Sequence, residues 1–313
     1  MKTDVVFYEV FAEEKLLLKK FLPKKIRAAF YKGTIQEEGH ATPKAKLLCV
    51  RTQSIIPTAW LKNIDGVLTR SEGDDHLSGI KGVVPVGRLY GYCVRAVAEH
   101  ALLLILALAK DLKKQIASAE VFCRDGLTCH ELRSKKVLVV GVGKVGEELV
   151  RLCRGVGMDA RGVDIICRIK NLSYVSLNKG VHWADVIVCS AALTDKTRGF
   201  LNYALLKKAH KGTILVNVSR GEITPLKDMK RLLDEKILGG LGLDVFDNEA
   251  GLAVSLRQGK KGTGFVSLSR RSNVIFTPHN AFNTHEALME KCRQSVIVIE
   301  CFLRTNKFPA EVR

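Results

Sequence analysis

A glycine-rich turn between an apolar run and a helical stretch constrains this chain more than any other feature of its sequence. Residues 137–140 read as a buried strand, and Gly141, Gly143 and Gly146 lead from it into a helix. The first glycine permits the tight bend, the second lets the backbone approach a pyrophosphate, and the third lets the helix pack close to the strand. The helix then points free N–H groups at the phosphates. The run predicts a dinucleotide site, although the same spacing also occurs in plain turns.

The residue that ends the next strand indicates which dinucleotide would bind. Residues 160–163 read as a strand, and Asp164 follows where an acidic residue would accept hydrogen bonds from the adenosine ribose. Because a carboxylate there repels a 2′-phosphate, we expect NAD rather than NADP. Asp164 also suits an ordinary turn at a strand end, and the nearby Arg168 leaves NADP open.

Length and hydropathy exclude a membrane protein and favour two domains. The 313 residues can bury a large core and split into two domains. The start of the chain does not resemble a signal peptide. The longest apolar run, Ala101–Ala109, falls far short of the about 20 residues that span a bilayer. We therefore expect a fully buried helix there and no membrane partner.

Cysteine use and charge narrow the remaining classes. The nine cysteines form no CxxC pair and no cluster with histidines at zinc-ligand spacing. We expect reduced thiols in a cytoplasmic protein without a bound metal. The net charge of +18 would attract anions. However, the basic residues are dispersed with little aromatic interleaving, so no specific nucleic-acid partner is expected.

Apolar strands alternate with helical stretches in two series, which predicts an α/β protein with parallel sheets. The first series contains Val5–Glu9, Ile26–Phe30, Leu47–Val50 and Gly66–Thr69; the second contains Val137–Val140, Ala160–Val163, Val186–Cys189, Thr213–Val216, Gly240–Leu243 and Val274–Phe276. Helices over 97–112 and 284–303 would carry the chain between domains. We expect a Rossmann NAD-binding domain over 98–284, inserted into a flavodoxin-like α/β substrate domain formed by 1–97 and 285–313. A cleft between the two would hold the ligands.

Three polar residues follow strands of the second series, at the sheet edge where catalytic groups collect. Arg220 offers a planar guanidinium that can hold a carboxylate with two hydrogen bonds. Glu249 and His279 come after the next two strands. A carboxylate beside a histidine favours the protonated form, which can donate a proton near neutral pH. Taken singly, each also suits a loop cation, a helix-start acid and a packing histidine; together they favour catalysis.

The chain resembles the D-isomer-specific 2-hydroxyacid dehydrogenases, which use NAD to interconvert 2-oxo acids and D-2-hydroxy acids. The motifs that carry the resemblance extend over nearly the whole chain: Arg70–His76, Tyr92–His100, Gly141–Gly146, Asn217–Gly221, Gly242–Phe246 with Glu249, and Thr277–Phe282. The resemblance implies a small 2-oxo or 2-hydroxy acid as substrate. It also implies a homodimer formed through the helix that contains the apolar run.

The resemblance assigns roles to residues of the second series. Arg220 would bind the substrate carboxylate, His279 would protonate the 2-oxo oxygen as hydride arrives, and Glu249 would orient His279. Asp244 would hold the nicotinamide carboxamide, although it also suits a strand-end acid. Along the cofactor, the resemblance adds Lys144 and Val145 at the pyrophosphate, with Ala191, Ala192 and Val218.

The resemblance also implies a set of substrate-binding residues. Glu72 and Gly73 would present backbone amides to the carboxylate, and Tyr92 and Phe282 would line the pocket, unless these two are ordinary core aromatics. Glu72, with Asp74, replaces residues that are commonly neutral and so adds negative charge beside the carboxylate-binding loop.

Other departures from the family pattern concern loops. Ala192 and Ala250 stand where proline is frequent, and the segments 85–93 and 250–273 are longer than in lactate-type relatives. The alternative to an enzyme is an NAD(H)-sensing scaffold without turnover, since corepressors of the same family keep the fold and these polar residues.

Overall fold

Two parallel sheets organise the chain, and each belongs to a separate unit. The computed structural model describes residues 3–259, 264–309 and 311. The residues up to Cys93 and those from Asn283 onward form one unit, and Val94–Phe282 forms the other. The chain is thus α/β throughout its described length.

The unit made from both chain ends contains a five-stranded parallel sheet in the order β2-β1-β3-β4-β5. Its strands are β1 (Val5–Phe7), β2 (Ala28–Phe30), β3 (Leu47–Val50), β4 (Gly66–Thr69) and β5 (Val86–Arg88). The helix α1 (Ala12–Phe21) contacts the C-terminal helix, α10 (His285–Thr305). Thr284 caps α10 by accepting the N–H of Ala287 at 3.2 Å. Both helices bury apolar side chains against this sheet.

The other unit contains a seven-stranded parallel sheet in the order β12-β11-β10-β9-β6-β7-β8. Its strands are β6 (Lys136–Val140), β7 (Asp159–Val163), β8 (Ser173–Tyr174), β9 (Val186–Cys189), β10 (Thr213–Asn217), β11 (Leu238–Leu243) and β12 (Val274–Phe276); its helices are α2 (Val94–Ala109), α3 (Leu112–Ala119), α4 (Lys144–Gly155), α5 (Leu177–Trp183), α6 (Tyr203–Leu206), α7 (Leu226–Asp234), α8 (Glu249–Arg257) and α9 (Gly264–Ser269). Successive strands are added on one side of β6 as far as β8 and then on its other side from β9 to β12, so the strand order reverses between β6 and β9. That switch point is where dinucleotides bind in Rossmann sheets.

Helix α2 packs one face on this sheet, so the expectation of a fully buried helix was wrong. Ala98, Ala101 and Ile105 are inaccessible and lie in the core with β6. Leu103, on the opposite face, is 54% exposed. A helix beside a sheet buries one stripe only, and here the outer stripe is also apolar. Within the described residues, no helix is both long and apolar enough to span a bilayer.

The first series of strands departs from the predicted alternation with helices. Within residues 3–93, only α1 is an α-helix, whereas 3₁₀ helices at Thr58–Asn63 and Asp75–Ile80 cross between β3, β4 and β5. Strand β5 was not predicted, because its three residues include Gly87 and show no alternation. A Cβ on Gly87 would lie 2.5 Å from the ring of Phe308, so the close packing of this ring requires glycine.

The long segment after Glu249 is largely helical in the structure. Helices α8 and α9 fill most of residues 250–273, which were predicted to form a longer loop. Residues 260–263 lie outside the described part of the chain. On α9, Phe265 packs its ring against those of Phe246 and Phe276, at centroid distances of 5.0 Å in both cases.

Candidate active site

The glycine turn after β6 has the geometry that each glycine was predicted to serve. Gly141 has a φ of +88°, and a Cβ there would lie 2.4 Å from the backbone of Ala191. A Cβ on Gly146 would lie 2.1 Å from the carbonyl oxygen of Gly141. Gly143, by contrast, has nothing within 4 Å of its Cβ position and directly precedes α4. The turn therefore leaves open space at the N-terminus of α4, which fits a pyrophosphate.

The Asp164 carboxylate is held against this glycine turn. Its Oδ2 accepts the N–H of Val142 at 2.6 Å, and its Oδ1 accepts the N–H of Ile166 at 3.0 Å. The neighbouring Ile165 is 97% exposed. Asp164 thus makes the turn contacts of a strand-end residue and also places a negative charge beside the dinucleotide turn. That charge suits ribose hydroxyl groups and repels a phosphate.

The other residues of the predicted cofactor set lie at the same sheet edge. Ala191 and Ala192 follow β9, and the N–H of Val218, after β10, bonds to the carbonyl oxygen of Cys189 at 3.2 Å. Lys144 and Val145 begin α4. The structure therefore gathers these residues around the carboxyl ends of β6, β9 and β10.

His279 and Glu249 form a hydrogen-bonded pair. The Nδ1 atom of His279 lies 2.7 Å from Oε2 of Glu249, and Oε1 of Glu249 accepts the N–H of Phe246 at 3.1 Å. Because a carboxylate only accepts hydrogen bonds, Nδ1 carries the hydrogen and Nε2 points to the other side of the ring. Both side chains are about one quarter exposed, at 28% and 22%. The ring can exchange a proton through Nε2 while Glu249 fixes its orientation.

The turn after β10 presents Arg220. The buried side chain of Asn217 donates to the carbonyl oxygen of Arg220 and to Oγ1 of Thr224, both at 2.8 Å, and accepts the N–H of Ser219 at 2.9 Å. The guanidinium of Arg220 also donates to the carbonyl oxygen of Ser219 at 2.9 Å. Asn217 was not predicted as a site residue, because nothing in the sequence distinguishes a buried turn-holding amide from a surface one.

Gly221 brings the Arg220 turn against the segment that carries Glu249. A Cβ on Gly221 would lie 1.9 Å from the carbonyl carbon of Phe246 and 2.2 Å from the backbone nitrogen of Asp247. The two backbone segments are therefore in direct contact. Arg220, Glu249 and His279 thus belong to one connected group at the carboxyl ends of β10, β11 and β12.

Asp244 holds the turn that contains His279. Its carboxylate, on a residue only 1% exposed, accepts the N–H groups of Asn280 and Ala281 at 2.9 Å each and the hydroxyl of Thr277 at 2.5 Å. Its main-chain carbonyl accepts the N–H of His279 at 2.8 Å. His279 itself adopts a left-handed conformation with φ of +50°, which costs free energy for a residue with a side chain. Asp244 offsets that cost.

The family can now be assigned from a match over more than half of the chain. A family model described as the NAD-binding domain of the D-isomer specific 2-hydroxyacid dehydrogenases matches residues 102–281. This chain belongs to that family. The unit formed by Val94–Phe282 is accordingly an NAD-binding domain, as the glycine turn predicted.

Curated relatives of this 2-hydroxyacid dehydrogenase family member include lactate-type enzymes. The chain is 32% identical over 211 residues to D-lactate dehydrogenase of Escherichia coli (strain K12), covering 65% of this chain and 64% of that protein. It is 28% identical over 237 residues to the D-specific alpha-keto acid dehydrogenase of Enterococcus faecalis, covering 74% and 73%. The alignment to the first of these relatives thus spans just under two thirds of its length.

Solved structures of the family match the fold over almost the full chain. The crystal structure of D-lactate dehydrogenase from Aquifex aeolicus, in complex with NAD and lactic acid, aligns with a TM-score of 0.87 at 26% identity, covering 97% of this chain and 96% of that one. The pyruvate reductase of Chlamydomonas reinhardtii aligns equally well, with a TM-score of 0.87 at 26% identity and 98% coverage of both chains. These matches confirm the predicted fold class and family.

In the unit formed by both chain ends, Glu72 anchors the loop that contains Gly73. Both carboxylate oxygens of Glu72 accept the N–H of Gly91, at 2.9 and 2.8 Å. The hydroxyl of Ser71 donates to the carbonyl oxygen of Gly73 at 2.9 Å. Tyr92 directs its hydroxyl to the carbonyl oxygen of Arg70 at 3.5 Å, and burial raises the pKa of Tyr92 well above its usual value. The unusual acid therefore fixes the loop to the turn before Tyr92.

Phe282 is the last residue of the NAD-binding domain. Its ring is 8% exposed and meets the ring of His279 edge to face, with centroids 6.3 Å apart. It therefore packs as a core aromatic while contacting the catalytic histidine candidate. No group of three or more metal-ligating side chains occurs within residues 3–259, 264–309 and 311.

Proposed function

We propose that this protein is an NAD-dependent dehydrogenase that interconverts a small 2-oxo acid and a D-2-hydroxy acid. The observation that carries the proposal is the His279–Glu249 pair, 2.7 Å apart, in a domain whose glycine turn has room for a dinucleotide. Reduction of a ketone requires a proton at the oxygen as hydride arrives, and an oriented imidazole supplies it. Membership of the family supports the same chemistry.

The protein's own residues would divide the work as follows. His279 delivers a proton from Nε2 to the 2-oxo oxygen and takes it back in the reverse direction. Glu249 holds Nδ1 and stabilises the positive charge of the protonated ring. Arg220 binds the substrate carboxylate through two parallel N–H groups. Phe282 is proposed to bound the pocket and favour a small side group, with Glu72, Gly73 and Tyr92 completing the substrate-binding set.

Residues around the glycine turn would hold the cofactor, which when bound supplies or accepts the hydride. Gly141, Gly143 and Gly146 shape the space for the pyrophosphate, Lys144 and Val145 lie beside it, and Asp164 accepts the ribose hydroxyls. Further contacts are proposed for Ala191, Ala192, Val218 and Asp244. The fit rests on the open Cβ position of Gly143, where the backbone can approach a phosphate.

A panel of 2-oxo acids tests the function. We expect the protein to oxidise NADH with pyruvate, glyoxylate or hydroxypyruvate and to form the D-hydroxy acid. The catalytic efficiency with NADPH should be lower than with NADH by a factor of several or more, because the 2′-phosphate of NADPH would lie beside the Asp164 carboxylate. NADH binding without turnover of any acid would contradict the proposal and favour the sensing scaffold. Equal efficiency with NADPH would contradict the role of Asp164 alone.

A substitution at Arg220 tests the carboxylate site separately from the cofactor site. In Arg220→Lys we expect kcat/KM for the 2-oxo acid to fall by at least about tenfold, since lysine keeps the charge but loses the paired N–H groups. NADH affinity, measured by protein fluorescence quenching, should stay near wild type. If NADH affinity fell to the same extent, Arg220 would have a structural role and the assignment would fail.

We also propose that the protein is a homodimer, assembled through the surface around α2 and α3. This surface carries large apolar side chains that are 41% to 84% exposed in the single chain: Leu103, Leu112, Ile116, Val121 and Phe122. Apolar side chains at this density mark an interface more often than a free surface.

All nine cysteines are free, which supports a reducing compartment such as the cytoplasm.

Sedimentation equilibrium of a charged variant tests the dimer. In the double variant Ile116→Glu with Phe122→Glu we expect the dimer to dissociate at micromolar concentration, because two carboxylates cannot be buried unpaired. Leu16→Glu is the matched control, since Leu16 is 71% exposed on α1 in the other unit. A wild-type monomer, or a dimer that survives the double variant, would contradict this interface.

A further inference from the structure

A hydrogen-bond chain connects helix α2 to the turn that contains His279. The Nε2 atom of His100, on α2, lies 3.0 Å from Oγ1 of Thr277, and that hydroxyl lies 2.5 Å from Oδ1 of Asp244. His100 Nε2 is also within 3.6 Å of the same carboxylate oxygen. All three side chains belong to the NAD-binding domain. None of the roles proposed above uses His100 or Thr277.

The direction of each hydrogen bond follows from what the groups can donate. The Asp244 carboxylate can only accept, so the Thr277 hydroxyl donates its hydrogen to Oδ1. That hydroxyl then has only lone pairs to offer, so Nε2 of His100 carries a hydrogen and donates to Thr277. The chain therefore runs in one direction, from His100 through Thr277 to Asp244.

Asp244, the last residue of this hydrogen-bond chain, fixes the backbone of the turn that contains His279. Asp244 bonds to three consecutive backbone N–H groups: its carbonyl accepts that of His279, and its carboxylate accepts those of Asn280 and Ala281. This turn places His279 in its left-handed conformation, from which the ring reaches Glu249. A rotation of the Asp244 carboxylate would release the two amides that follow His279 and allow the ring to move.

We propose that His100 and Thr277 are positioning residues, which lock the Asp244 carboxylate and thereby hold the His279 ring in place for proton transfer. This inference rests on the proposed function for its kinetic consequence. The physical reason is that a buried carboxylate held by several donors keeps one orientation, whereas a carboxylate that loses one of these donors can adopt others. A displacement of a fraction of an ångström at a proton donor lowers turnover more than binding.

Paired variants at Thr277 test the chain against a merely structural role. Thr277→Val keeps the shape and removes the hydroxyl, and we expect kcat with the best 2-oxo acid to fall by about tenfold. Thr277→Ser restores the hydroxyl and should recover kcat to within about threefold of wild type. NADH affinity should change little in both variants. Equal loss in the serine and valine variants would overturn the proposal.

Paired variants at His100 test the donor at the other end. The amide nitrogen of glutamine can occupy the place of Nε2 and donate to Thr277, whereas leucine cannot. We expect His100→Leu to lower kcat by about fivefold and His100→Gln to recover most of it. His130→Leu is the matched control, because His130 is an exposed histidine in the same domain. A leucine variant with wild-type kcat would overturn the proposal.

An NMR measurement separates failure of the inference from failure of the proposed function. The imidazole Cε1–H signal of His279, assigned by its absence in His279→Gln, should shift or broaden in Thr277→Val and stay in place in Thr277→Ser. This signal reports the ring's surroundings without any substrate. A shifted signal in a protein that reduces no 2-oxo acid would support the positioning chain and contradict the function. An unchanged signal in Thr277→Val would overturn the chain even if the protein reduces pyruvate.

Discussion

In His279→Gln, we expect 2-oxo acid reduction to fall by about a hundredfold or more, because general acid catalysis contributes that much to proton transfer. Glutamine retains a group that can hydrogen-bond near the positions of the ring nitrogens but does not give up a proton to an oxyanion. NADH should still bind, since it would be held by the glycine turn and Asp164. The described hydrogen bonds of Asp164 go to Val142 and Ile166, whereas that of the His279 ring goes to Glu249. Single-turnover reduction with saturating NADH measures the chemical step.

Glu249→Gln should be milder than His279→Gln. An amide at this position can still accept the hydrogen of Nδ1 at about the observed 2.7 Å, but it no longer carries the charge that stabilises a protonated ring. His182→Gln is a matched control, because His182 is exposed on α5 and its Nδ1 lies 2.9 Å from the carbonyl oxygen of Asn178 in the same helix. Near-normal reduction in His279→Gln would show that another group donates the proton.

The residues of the NAD-binding domain could be predicted because their local physics is decisive. A turn with φ of +88° and a backbone contact at the Cβ position of Gly146 admit only glycine, so the motif appears in the sequence itself. Buried parallel strands are continuous apolar runs, and β9 and β12 were predicted with their observed bounds. Polar residues directly after such runs reach the sheet edge, which identified the positions of Arg220 and His279.

The connections made between distant residues could not be predicted in the same way. His100 lies 177 positions from Thr277 in the chain, and its place in an apolar helix indicates only a half-buried polar residue. Glu72 was predicted to add negative charge beside the carboxylate-binding loop, and the sequence did not indicate that its carboxylate accepts the N–H of Gly91. Neither contact follows from spacing, because both depend on which distant segments of the chain meet in three dimensions.

A buried charge cluster in the unit formed by both chain ends was not predicted for the same reason. Glu14, Arg70 and Lys291 all have fully buried side chains, although the patterns around Glu14 and Lys291 are those of surface helices. Oε1 of Glu14 pairs with both cations, since it lies 3.0 Å from Nε of Arg70 and 2.7 Å from Nζ of Lys291. Both cations therefore share one carboxylate oxygen, while the charges of Glu9 and Arg51 also act on Arg70 and Lys291 respectively.

Removal of that carboxylate should have the largest effect on stability. Burial by itself would raise the pKa of Glu14, but the charges of Arg70 and Lys291 outweigh it and hold this pKa well below its usual range. In Glu14→Gln we expect the free energy of unfolding to fall by about 3 to 5 kcal/mol, because two buried cations then lose the carboxylate that both of them contact. Glu13→Gln, an exposed neighbour on α1, is the matched control. Urea unfolding followed by the buried Trp60, in a Trp183→Phe background, reports this unit.

Lys291→Met should raise the free energy of unfolding, because the charge of Lys291 destabilises the fold. Burial, opposed by the Glu14 carboxylate, lowers the pKa of Lys291 to about 7. Since the folded protein then releases this proton at a lower pH than the unfolded chain does, the lysine lowers stability most at and below neutral pH. Its cost declines as pH rises from about 7 towards 10.

The pH dependence distinguishes this account from simple loss of packing. Methionine keeps the length of the side chain and leaves the Arg70–Glu14 pair intact, so we expect Lys291→Met to be more stable than wild type by about 1 to 4 kcal/mol at pH 6.5. The gain should shrink at pH 9, where the wild-type lysine is neutral in the folded state. In the double variant Glu14→Gln with Lys291→Met, much of the Glu14→Gln loss should be recovered, because only one cation then lacks the Glu14 carboxylate. A pH-independent loss of stability in Lys291→Met would contradict the claim that the protonated Lys291 destabilises this cluster.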